Sequence, residues 1–528
     1  MIFSSWTFAI FFAIFFPIFF AVRENIPRRN AVILVGSYIF YGWWNPKFVT
    51  LLALLAVVDF VAAKGVTGQR IDRRDLVHSS VFTAIVTGLA AVTAKSGGTE
   101  LAVYVGLFFA LFICAAWGAE RLEGEARRKA WLYVSIAANL GVLAFFKYFN
   151  FFLDNVFAAM HGLGFGGKTL VLDIVLPIGL SFHVFQGLAR TIDCYRGDIK
   201  PEGSLYTVAA YLAFFPQLVA GPIERAERLI PQFERPNRVS WEGFKSGAAL
   251  FLWGLLLKLV VADNMAPIAD AAFGGPSKID GATALAGVLA FTLQIYCDFH
   301  GYSTMARGVA RCIGFELMIN FNFPYFARAP SEFWRRWHIS LSTWLRDYLY
   351  IALGGNRGSK LLTYRNLILT MVLGGLWHGA GWAFITWGLF HGLILAAYRS
   401  TGLDRFIDKD LPRWPDVSRS CASVALWLVM LTLAMIGWTF FRAATLGDAL
   451  TMLGTIASGV HVTWEQFHPI VFSALPLLAL EYVQFRYGIA NLLSAGPFVL
   501  RFTSVVTTMM VVLLMSAPTG RAFVYFDF

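Results

Sequence analysis

Long apolar runs separated by short polar segments make up most of the chain. A run of about 17–20 apolar residues can cross roughly 30 Å of hydrocarbon, and roughly eleven to thirteen segments approach that length. The clearest runs lie at 6–22, 30–44, 48–63, 79–94, 101–118, 131–149, 171–189, 246–262, 282–299, 366–378, 383–398, 422–440, 469–483 and 499–517. Some are short, which indicates tilted or re-entrant segments. The pattern predicts an all-α, polytopic integral membrane protein with additional re-entrant and interfacial helices.

The composition supports the same class. Of the 528 residues, 58% are hydrophobic and only 14% are charged, and the mean hydropathy is +0.63. A soluble domain carries roughly a quarter charged residues, so the chain is expected to lie in a lipid bilayer. The fifty Phe and seventeen Trp residues agree with this, because aromatic rings favour the lipid–water interface.

Positive charge is concentrated in the short segments between the apolar runs. The net charge is +11 and the pI is near 9.4, but no long basic block or stacking platform indicates binding to nucleic acid. Basic residues cluster in loops 23–29, 64–75 and 120–130, whereas the turns at 45–47 and 95–100 carry one lysine each. Because basic loops remain in the cytoplasm, we predict a periplasmic N-terminus. The first run is predicted to be a span and not a cleaved signal peptide.

The sequence lacks the patterns of several other classes. Its five cysteines are scattered, without the paired spacing of a disulfide framework or a zinc site, so no metal site is predicted. No fixed-period repeat and no inverted pair of broken helices points to a transporter. Residues 205–240 combine a short apolar run with prolines and charges. Two interpretations of this segment are open: a re-entrant hairpin that lines a cavity, or an amphipathic surface loop.

The run 332–344, EFWRRWHISLSTW, places ionisable and hydroxyl groups in a chain otherwise suited to lipid. Ionisable groups at membrane depth are costly and by default mark a functional site. On a helix over 331–350, four polar residues share one narrow face: Arg335, His338, Ser342 and Arg346. The opposite face is apolar and aromatic: Trp334, Trp337, Leu341, Trp344 and Tyr348. The polar face suits an anionic ligand, because guanidinium groups match phosphate oxygens. An interfacial helix with arginines at lipid headgroups is the open alternative.

Three further polar positions are candidates for chemistry. His378 follows a nearly uninterrupted apolar run and precedes two glycines, which would let a substrate approach the backbone. A buried histidine bonded to a carbonyl is the alternative. For His391 we favour a structural hydrogen bond. Asp298 ends a predicted span and is able to orient an imidazole, although a polar helix terminus is the simpler interpretation.

Several strings resemble the membrane-bound O-acyltransferase (MBOAT) superfamily, and within it the alginate O-acetyltransferase I (AlgI) type. The central ones are EFWRRWHISLSTWLRDYLYIALGGNRGS at 332–359 and GGLWHGAGW at 374–382. Supporting strings include SYIFYGWWNPKF, FFKYFNF, LPIGLSFHVFQ, FFPQLVAGPIER, IYCDFHGYSTMA and NFNFPYFA. The match covers roughly residues 1–400. The chain departs from the family pattern at His300, where a small residue is expected, and in the expanded segment 79–117.

The resemblance implies a fold, a reaction and a set of site residues. The fold has a central cavity, with an acyltransferase core at 1–400 and C-terminal transmembrane helices at 401–528 that pack on it. His378 and His338 are implied to be catalytic. Residues implied to bind the substrate or donor are Arg335, Arg336, Trp337, Ser342, Asn322 and Trp377, and Asp298 and His391 are supporting candidates. The resemblance implies acetyl-CoA as the donor, and no tightly bound cofactor is expected.

The resemblance also implies the setting of the reaction. An acetyl group would cross a bacterial inner membrane to O-acetylate an exported polysaccharide such as alginate, through a periplasmic, esterase-like acetyl acceptor. Two alternatives stay open at this point. In the first, an enzyme of the same superfamily takes a D-alanyl group from a carrier protein as its donor, or transfers its acyl group to another acceptor such as peptidoglycan or a lipid. In the second, the protein is a proton-coupled transporter that uses the two histidines as a proton relay.

Overall fold

The computed structural model describes residues 1–94, 98–165, 172, 174–201, 203–236, 239–517, 521 and 523–524. Within these residues every regular element is a helix, which confirms the all-α prediction. The chain forms two compact units, one of Met1–Gly247 with Val309–Leu317 and the other of Ala248–Gly308 with Met318–Phe528. The boundary predicted at residue 400 concerns where the acyltransferase core ends, which these units do not test, so it stays a prediction.

The first unit contains eleven complete helices within the described residues. They are α1 (Trp6–Val22), α2 (Ile26–Gly42), α3 (Lys47–Val66), α4 (Arg73–Thr93), α5 (Gly98–Glu120), α6 (Gly124–Leu143), α7 (Phe149–Gly162), α8 (Leu180–Arg196), α9 (Leu205–Leu212), α10 (Phe215–Leu218) and α11 (Ala226–Glu234). A π-helical segment, Ala144–Tyr148, joins α6 to α7, so the chain continues as one long helix. Helix α3 lies at the centre of this unit, and 89% of its most apolar 18-residue stretch is buried.

Helix α12 (Trp241–Leu255) begins in the first unit and continues through π-helical Leu256–Ala262 into the second. The later helices are α13 (Asp263–Phe273), α14 (Gly281–Cys312), α15 (Pro330–Arg336), α16 (Ile339–Trp344), α17 (Lys360–His378), α18 (Trp382–Thr401), α19 (Leu403–Arg405), α20 (Asp416–Arg442), α21 (Leu446–Ser458), α22 (Trp464–Tyr487) and α23 (Phe498–Met515). A π-helical segment, Leu345–Tyr350, extends α16. Single π turns of this kind are frequent near functional sites.

Nine helices among the described residues are long and apolar enough to cross a membrane. The protein is therefore a multi-pass membrane protein. The sequence predicted roughly eleven to thirteen spans. Five of the predicted apolar runs overlap helices that are not among the nine, namely α1, α2, α8, α17 and α18. Parts of three predicted features lie outside the described residues. They are residues 95–97 of the turn at 95–100, residues 171 and 173 of run 171–189, and residues 237–238 of segment 205–240.

Most of the described residues of segment 205–240 are buried in the first unit. Phe214, Phe215 and Glu224 are fully buried. The Tyr211 hydroxyl donates to the Glu224 carbonyl at 2.9 Å, and the Gln217 amide donates to the Tyr211 carbonyl at 2.8 Å. The interpretation as an amphipathic surface loop is therefore wrong. A re-entrant position at membrane depth stays a prediction.

Asp298 lies in the interior of α14 and not at a helix terminus, because the helix continues to Cys312. Lys258 Nζ is 2.7 Å from Asp298 Oδ1 and 2.9 Å from Asp263 Oδ1, and all three side chains are buried. The Val524 amide donates to Asp298 Oδ2 at 2.6 Å. The polar partners of Asp298 are thus a lysine and a backbone amide. The prediction of a polar helix terminus is wrong, because a buried lysine compensates the carboxylate inside the helix.

We expect Lys258→Met to lower the free energy of unfolding by about 3–5 kcal/mol, because it leaves two buried carboxylates without their cation. The matched control is Lys245→Met, since the Lys245 side chain is 45% exposed in its ion pair with Glu242. An exposed pair contributes about 1 kcal/mol or less. Denaturant titration of the purified proteins in detergent measures both values. Equal unfolding midpoints for the two variants would contradict the expectation.

Candidate active site

The helix predicted over 331–350 is interrupted at Trp337 and His338. Helix α15 ends at Arg336, and Trp337 is extended, with φ −97° and ψ 128°. His338 adopts the left-handed conformation, with φ 43° and ψ 55°, before α16 begins. The prediction of one continuous helix is therefore wrong, and its polar face does not form as a single stripe. A non-glycine residue in this conformation typically costs about 1–3 kcal/mol, and such residues cluster at functional sites.

Backbone hydrogen bonds from a preceding segment create this break. The Asn322 amide donates to the Arg336 carbonyl, and the Ile339 amide donates to the Asn320 carbonyl, both at 2.9 Å. These bonds occupy backbone groups on both sides of His338, so they replace the hydrogen bonds of a continuous helix. The helical periodicity of the sequence gives no indication of this competing partner.

The side chain of Asn320 fixes the orientation of the His338 imidazole. Asn320 Oδ1 accepts from the Ser340 amide at 3.2 Å and from the Ser340 hydroxyl at 2.9 Å. The same oxygen is 3.1 Å from His338 Nδ1. Because an amide oxygen only accepts, Nδ1 carries the proton and Nε2 carries the lone pair. Burial lowers the pKa of His338, which lies outside the nine candidate spans, to about 3, so the ring is neutral at pH 7.

His338 and His378 both contact the indole ring of Trp377. The ring centroids of His338 and Trp377 are 6.3 Å apart, and those of Trp377 and His378 are 4.9 Å apart. The separation of the two imidazole centroids therefore cannot exceed the sum of these distances. Phe299 packs edge-on against His338 at 4.6 Å. Two histidines forty positions apart in the sequence are thus neighbours across a single side chain.

Aromatic residues after position 380 complete the surroundings of His378. Its ring centroid is 5.0 Å from Trp387 and 5.2 Å from Phe441. Trp438, one turn before Phe441, packs against Trp337 at 4.7 Å. The C-terminal segment therefore contributes rings to the site. Sequence analysis missed this contribution, because these aromatic residues are indistinguishable from other lipid-span residues.

His391 lies in the same aromatic cluster, 5.0 Å from Trp387 and 5.2 Å from Trp334. A side chain at Gly437 would meet His391 Nε2 at 2.8 Å, so only glycine permits this close approach. Within the described part of the chain, neither ring nitrogen of His391 has a hydrogen-bond partner. The structural hydrogen bond predicted for His391 is wrong within those residues. The indole nitrogens of Trp334, Trp387 and Trp438 share this property.

These buried nitrogens form a group of polar positions beside the two imidazoles. A buried donor without a partner costs about 1–3 kcal/mol, so native proteins keep few of them unless a ligand or water supplies acceptors. The cluster can therefore offer hydrogen bonds to the oxygen atoms of a substrate. No signal in the sequence separates these indoles from the remaining Trp residues.

The other predicted binding residues are more dispersed. Arg336 donates to Glu332 at 2.9 Å and to the Asn322 carbonyl at 3.3 Å, so its guanidinium has partners within the protein. Arg335 and the Asn322 side chain are exposed. The Ser342 hydroxyl donates to the Trp337 carbonyl at 3.1 Å and so stabilises the turn. Of the predicted binding residues, Trp377 contacts both imidazoles, whereas Trp337 directly precedes His338 in the chain and packs against Trp438.

Asn320 is the residue on which the site geometry most depends, although sequence analysis assigned it no role in the site. Its amide nitrogen donates to the Ser303 hydroxyl at 3.2 Å, which fixes the orientation of the amide. Among the described residues, no group of three His, Cys, Asp or Glu side chains is placed to hold a metal ion.

We expect His338→Gly to be more stable than His338→Ala by about 1 kcal/mol, because glycine adopts the left-handed conformation without strain. Both variants lose the imidazole, so the difference in their stability measures the free-energy cost of the left-handed backbone at position 338. The same pair of substitutions at Ser340, inside α16, should give the opposite order, since glycine is unfavourable within a helix. Thermal unfolding in detergent provides the comparison. A less stable glycine variant at position 338 would contradict the strain.

The chain is similar to proteins of a known family. Residues 201–434 match the family model described as MBOAT, membrane-bound O-acyltransferase family. This range includes His338, His378, Asn320 and Trp377. It also includes the buried segment 205–236 of the first unit.

Curated relatives extend this similarity over most of the chain. A probable alginate O-acetylase of Azotobacter vinelandii is 38% identical over 464 residues, which cover 87% of this chain and 80% of the relative. The corresponding protein of Pseudomonas syringae pv. tomato is 37% identical over 81% of this chain and 70% of its own length. A peptidoglycan O-acetyltransferase of Helicobacter pylori is 36% identical over 63% of this chain and 65% of its own length. The chain belongs to the membrane-bound O-acyltransferase family and is a multi-pass membrane acyltransferase.

Proposed function

We propose that this protein transfers an acetyl group from cytoplasmic acetyl-CoA for the O-acetylation of an exported polysaccharide such as alginate. The observation that carries the proposal is the contact of His338 and His378 with the same indole ring, that of Trp377. The similarity to probable alginate O-acetylases supports acetyl as the acyl group and a polysaccharide as the acceptor. No tightly bound cofactor is required, because acetyl-CoA is a substrate.

In the proposed reaction His378 acts as the general base. It accepts the proton of an acceptor hydroxyl as that oxygen attacks the thioester carbonyl. The carbon–sulfur bond then breaks, and the proton passes to the departing thiolate, so that an ester and free CoA are formed. General base catalysis of this kind contributes about 10²–10⁴-fold. Positioning of both substrates supplies the remaining acceleration.

His338 has a different proposed role. Its Nδ1 proton is directed at Asn320, so neutral Nε2 is a hydrogen-bond acceptor and has no proton with which to polarise a carbonyl. We therefore assign His338 to holding a substrate hydroxyl or amide N–H group. The indole N–H groups of Trp387 and Trp438 are proposed donors to substrate oxygens. Exposed Arg335 is the better candidate for the phosphates of CoA, since Arg336 pairs with Glu332.

The proposed setting is the bacterial inner membrane, with a periplasmic N-terminus and basic loops in the cytoplasm. A periplasmic, esterase-like protein would receive the acetyl group and complete the transfer to the polysaccharide. We also propose that the acyltransferase core spans 1–400 and that 401–528 packs on it. The contacts of Trp438 with Trp337 and of Phe441 with His378 support this proposal.

A second candidate acceptor is peptidoglycan. The similarity to the Helicobacter pylori peptidoglycan O-acetyltransferase supports this alternative. Both candidates are glycans outside the cytoplasmic membrane, so the proposed donor chemistry is the same for each.

We expect His378→Ala to reduce acetyl transfer from radiolabelled acetyl-CoA by about 10²–10⁴-fold, because it removes the general base. Exposed His161 provides the matched control, and His161→Ala should transfer at the wild-type rate. A size-exclusion profile in detergent that matches the profile of the wild type verifies that both variants fold. Transfer by His378→Ala at a rate close to wild type would remove His378 from the mechanism.

The donor and acceptor can be distinguished with membrane vesicles that contain the wild-type protein. We expect labelled acetyl groups from acetyl-CoA to appear in alginate oligosaccharides when the periplasmic fraction is added. Muropeptides and a D-alanyl carrier protein serve as the competing acceptor and donor. Labelling of muropeptides alone would replace the proposed acceptor. Solute movement without consumption of acetyl-CoA would instead favour a transporter.

A further inference from the structure

Glu481 is a fully buried carboxyl group that the proposed mechanism does not use. It lies in α22, a helix apolar enough to cross a membrane, and only 1% of the residue is exposed. A carboxyl group in such a position is costly unless it is hydrogen-bonded. Ionisable residues inside candidate spans are by default functional. The partners of Glu481 therefore indicate what it does.

Both partners of Glu481 lie on α14. The Tyr296 hydroxyl donates to Glu481 Oε1 at 2.6 Å, a distance within the normal range for an O–H···O hydrogen bond. His300 lies one turn after Tyr296, and its Nδ1 is 3.8 Å from the same oxygen. The rings of Tyr296 and His300 are 5.2 Å apart. His300 is also the residue at which this chain departs from the family pattern.

Tyr296 connects Glu481 to the strained turn. Its ring centroid lies 6.1 Å from Trp337, the residue directly before His338. Phe299, on the same face of α14, packs against His338 itself at 4.6 Å. Consecutive turns of α14 therefore pack against Trp337 and His338, the two residues between α15 and α16.

A second contact joins α22 to the same region. Phe485, one turn after Glu481, stacks on Phe326 at 5.4 Å, and the Arg336 guanidinium lies 5.1 Å from the Phe485 ring centre. One helix of the C-terminal segment thus contacts the turn from two positions. Only the contact through Glu481 and Tyr296 includes a directional hydrogen bond.

We propose that Glu481 and Tyr296 are positioning residues for His338. The hydrogen bond fixes the rotation of the Tyr296 ring, the ring supports Trp337, and Trp337 holds the left-handed backbone of His338. A strained conformation persists only where its surroundings over-determine it, and this hydrogen bond is one of those determinants. His300 flanks the carboxyl group, with Nδ1 3.8 Å from Oε1.

The effect on catalysis rests on the proposed acetyl transfer. We expect Glu481→Leu and Tyr296→Phe each to lower kcat about tenfold, the loss that one hydrogen bond of about 1.4 kcal/mol would cause. KM for acetyl-CoA should stay within about twofold, because the proposal assigns neither residue to donor binding. Glu481→Gln keeps an acceptor oxygen and should retain kcat within about twofold. The double variant Glu481→Leu/Tyr296→Phe should be no slower than either single variant, because both remove the same interaction.

Gln484 supplies the matched control, since it is a buried polar residue of the same helix. Gln484→Leu should leave kcat unchanged while placing a similar side chain in α22. An unchanged kcat in Glu481→Leu would overturn the proposal. A loss in Gln484→Leu equal to that in Glu481→Leu would do the same, because it would reveal a general effect on the helix.

A second measurement does not depend on acetyl transfer. Diethyl pyrocarbonate modifies imidazoles, and buried His338 should react slowly in the wild type. We expect Glu481→Leu and Tyr296→Phe to raise its modification rate at least about threefold by mass spectrometry, because a loosened turn opens more often. Equal rates in all variants would overturn the positioning role. Absence of acetyl transfer by the wild type would overturn the proposed function alone.

Discussion

The amide of Asn320 is the interaction on which the site depends. One oxygen atom binds the backbone and hydroxyl of Ser340 and lies within hydrogen-bonding distance of His338 Nδ1. This oxygen therefore caps the start of α16 and selects the tautomer of His338, while backbone hydrogen bonds of Asn320 and Asn322 interrupt the helix. Without such a partner, the left-handed backbone of a non-glycine residue would relax towards the helical conformation. Asn320 thus both orients the imidazole and maintains the strained turn.

Aromatic packing has a role in this protein beyond the anchoring of spans at the membrane interface. Both imidazoles contact Trp377, and further indole rings surround them on the side of α18 and α20. An aromatic pair adds about 0.5–1.5 kcal/mol beyond its buried area, and rigid rings hold their neighbours without long flexible side chains. Tryptophan also carries one N–H donor, so the same residues that pack the site can bind substrate oxygens.

Apolar periodicity was sufficient to predict the all-α class and most of the spans, because lipid selects runs of fixed length. The same periodicity was misleading at 331–350, where hydrophobic spacing continues through His338 although the backbone does not. The break depends on Asn320, whose hydrogen bonds span about twenty positions. Asp298 is a similar case, since its compensating cation, Lys258, lies forty positions earlier. Pairings at such distances leave no local pattern in the sequence.

The second unit arranges its site along one face of α14. Tyr296, Phe299 and Ser303 follow a spacing of three and four residues, which places them on the same side of a helix. They contact Trp337, His338 and Asn320 respectively. Asp298 instead binds Lys258, which joins α14 to the segment that follows α12. A helix held by a buried ion pair away from this face can keep three contacts in register, and a strained residue needs that rigidity to keep one conformation.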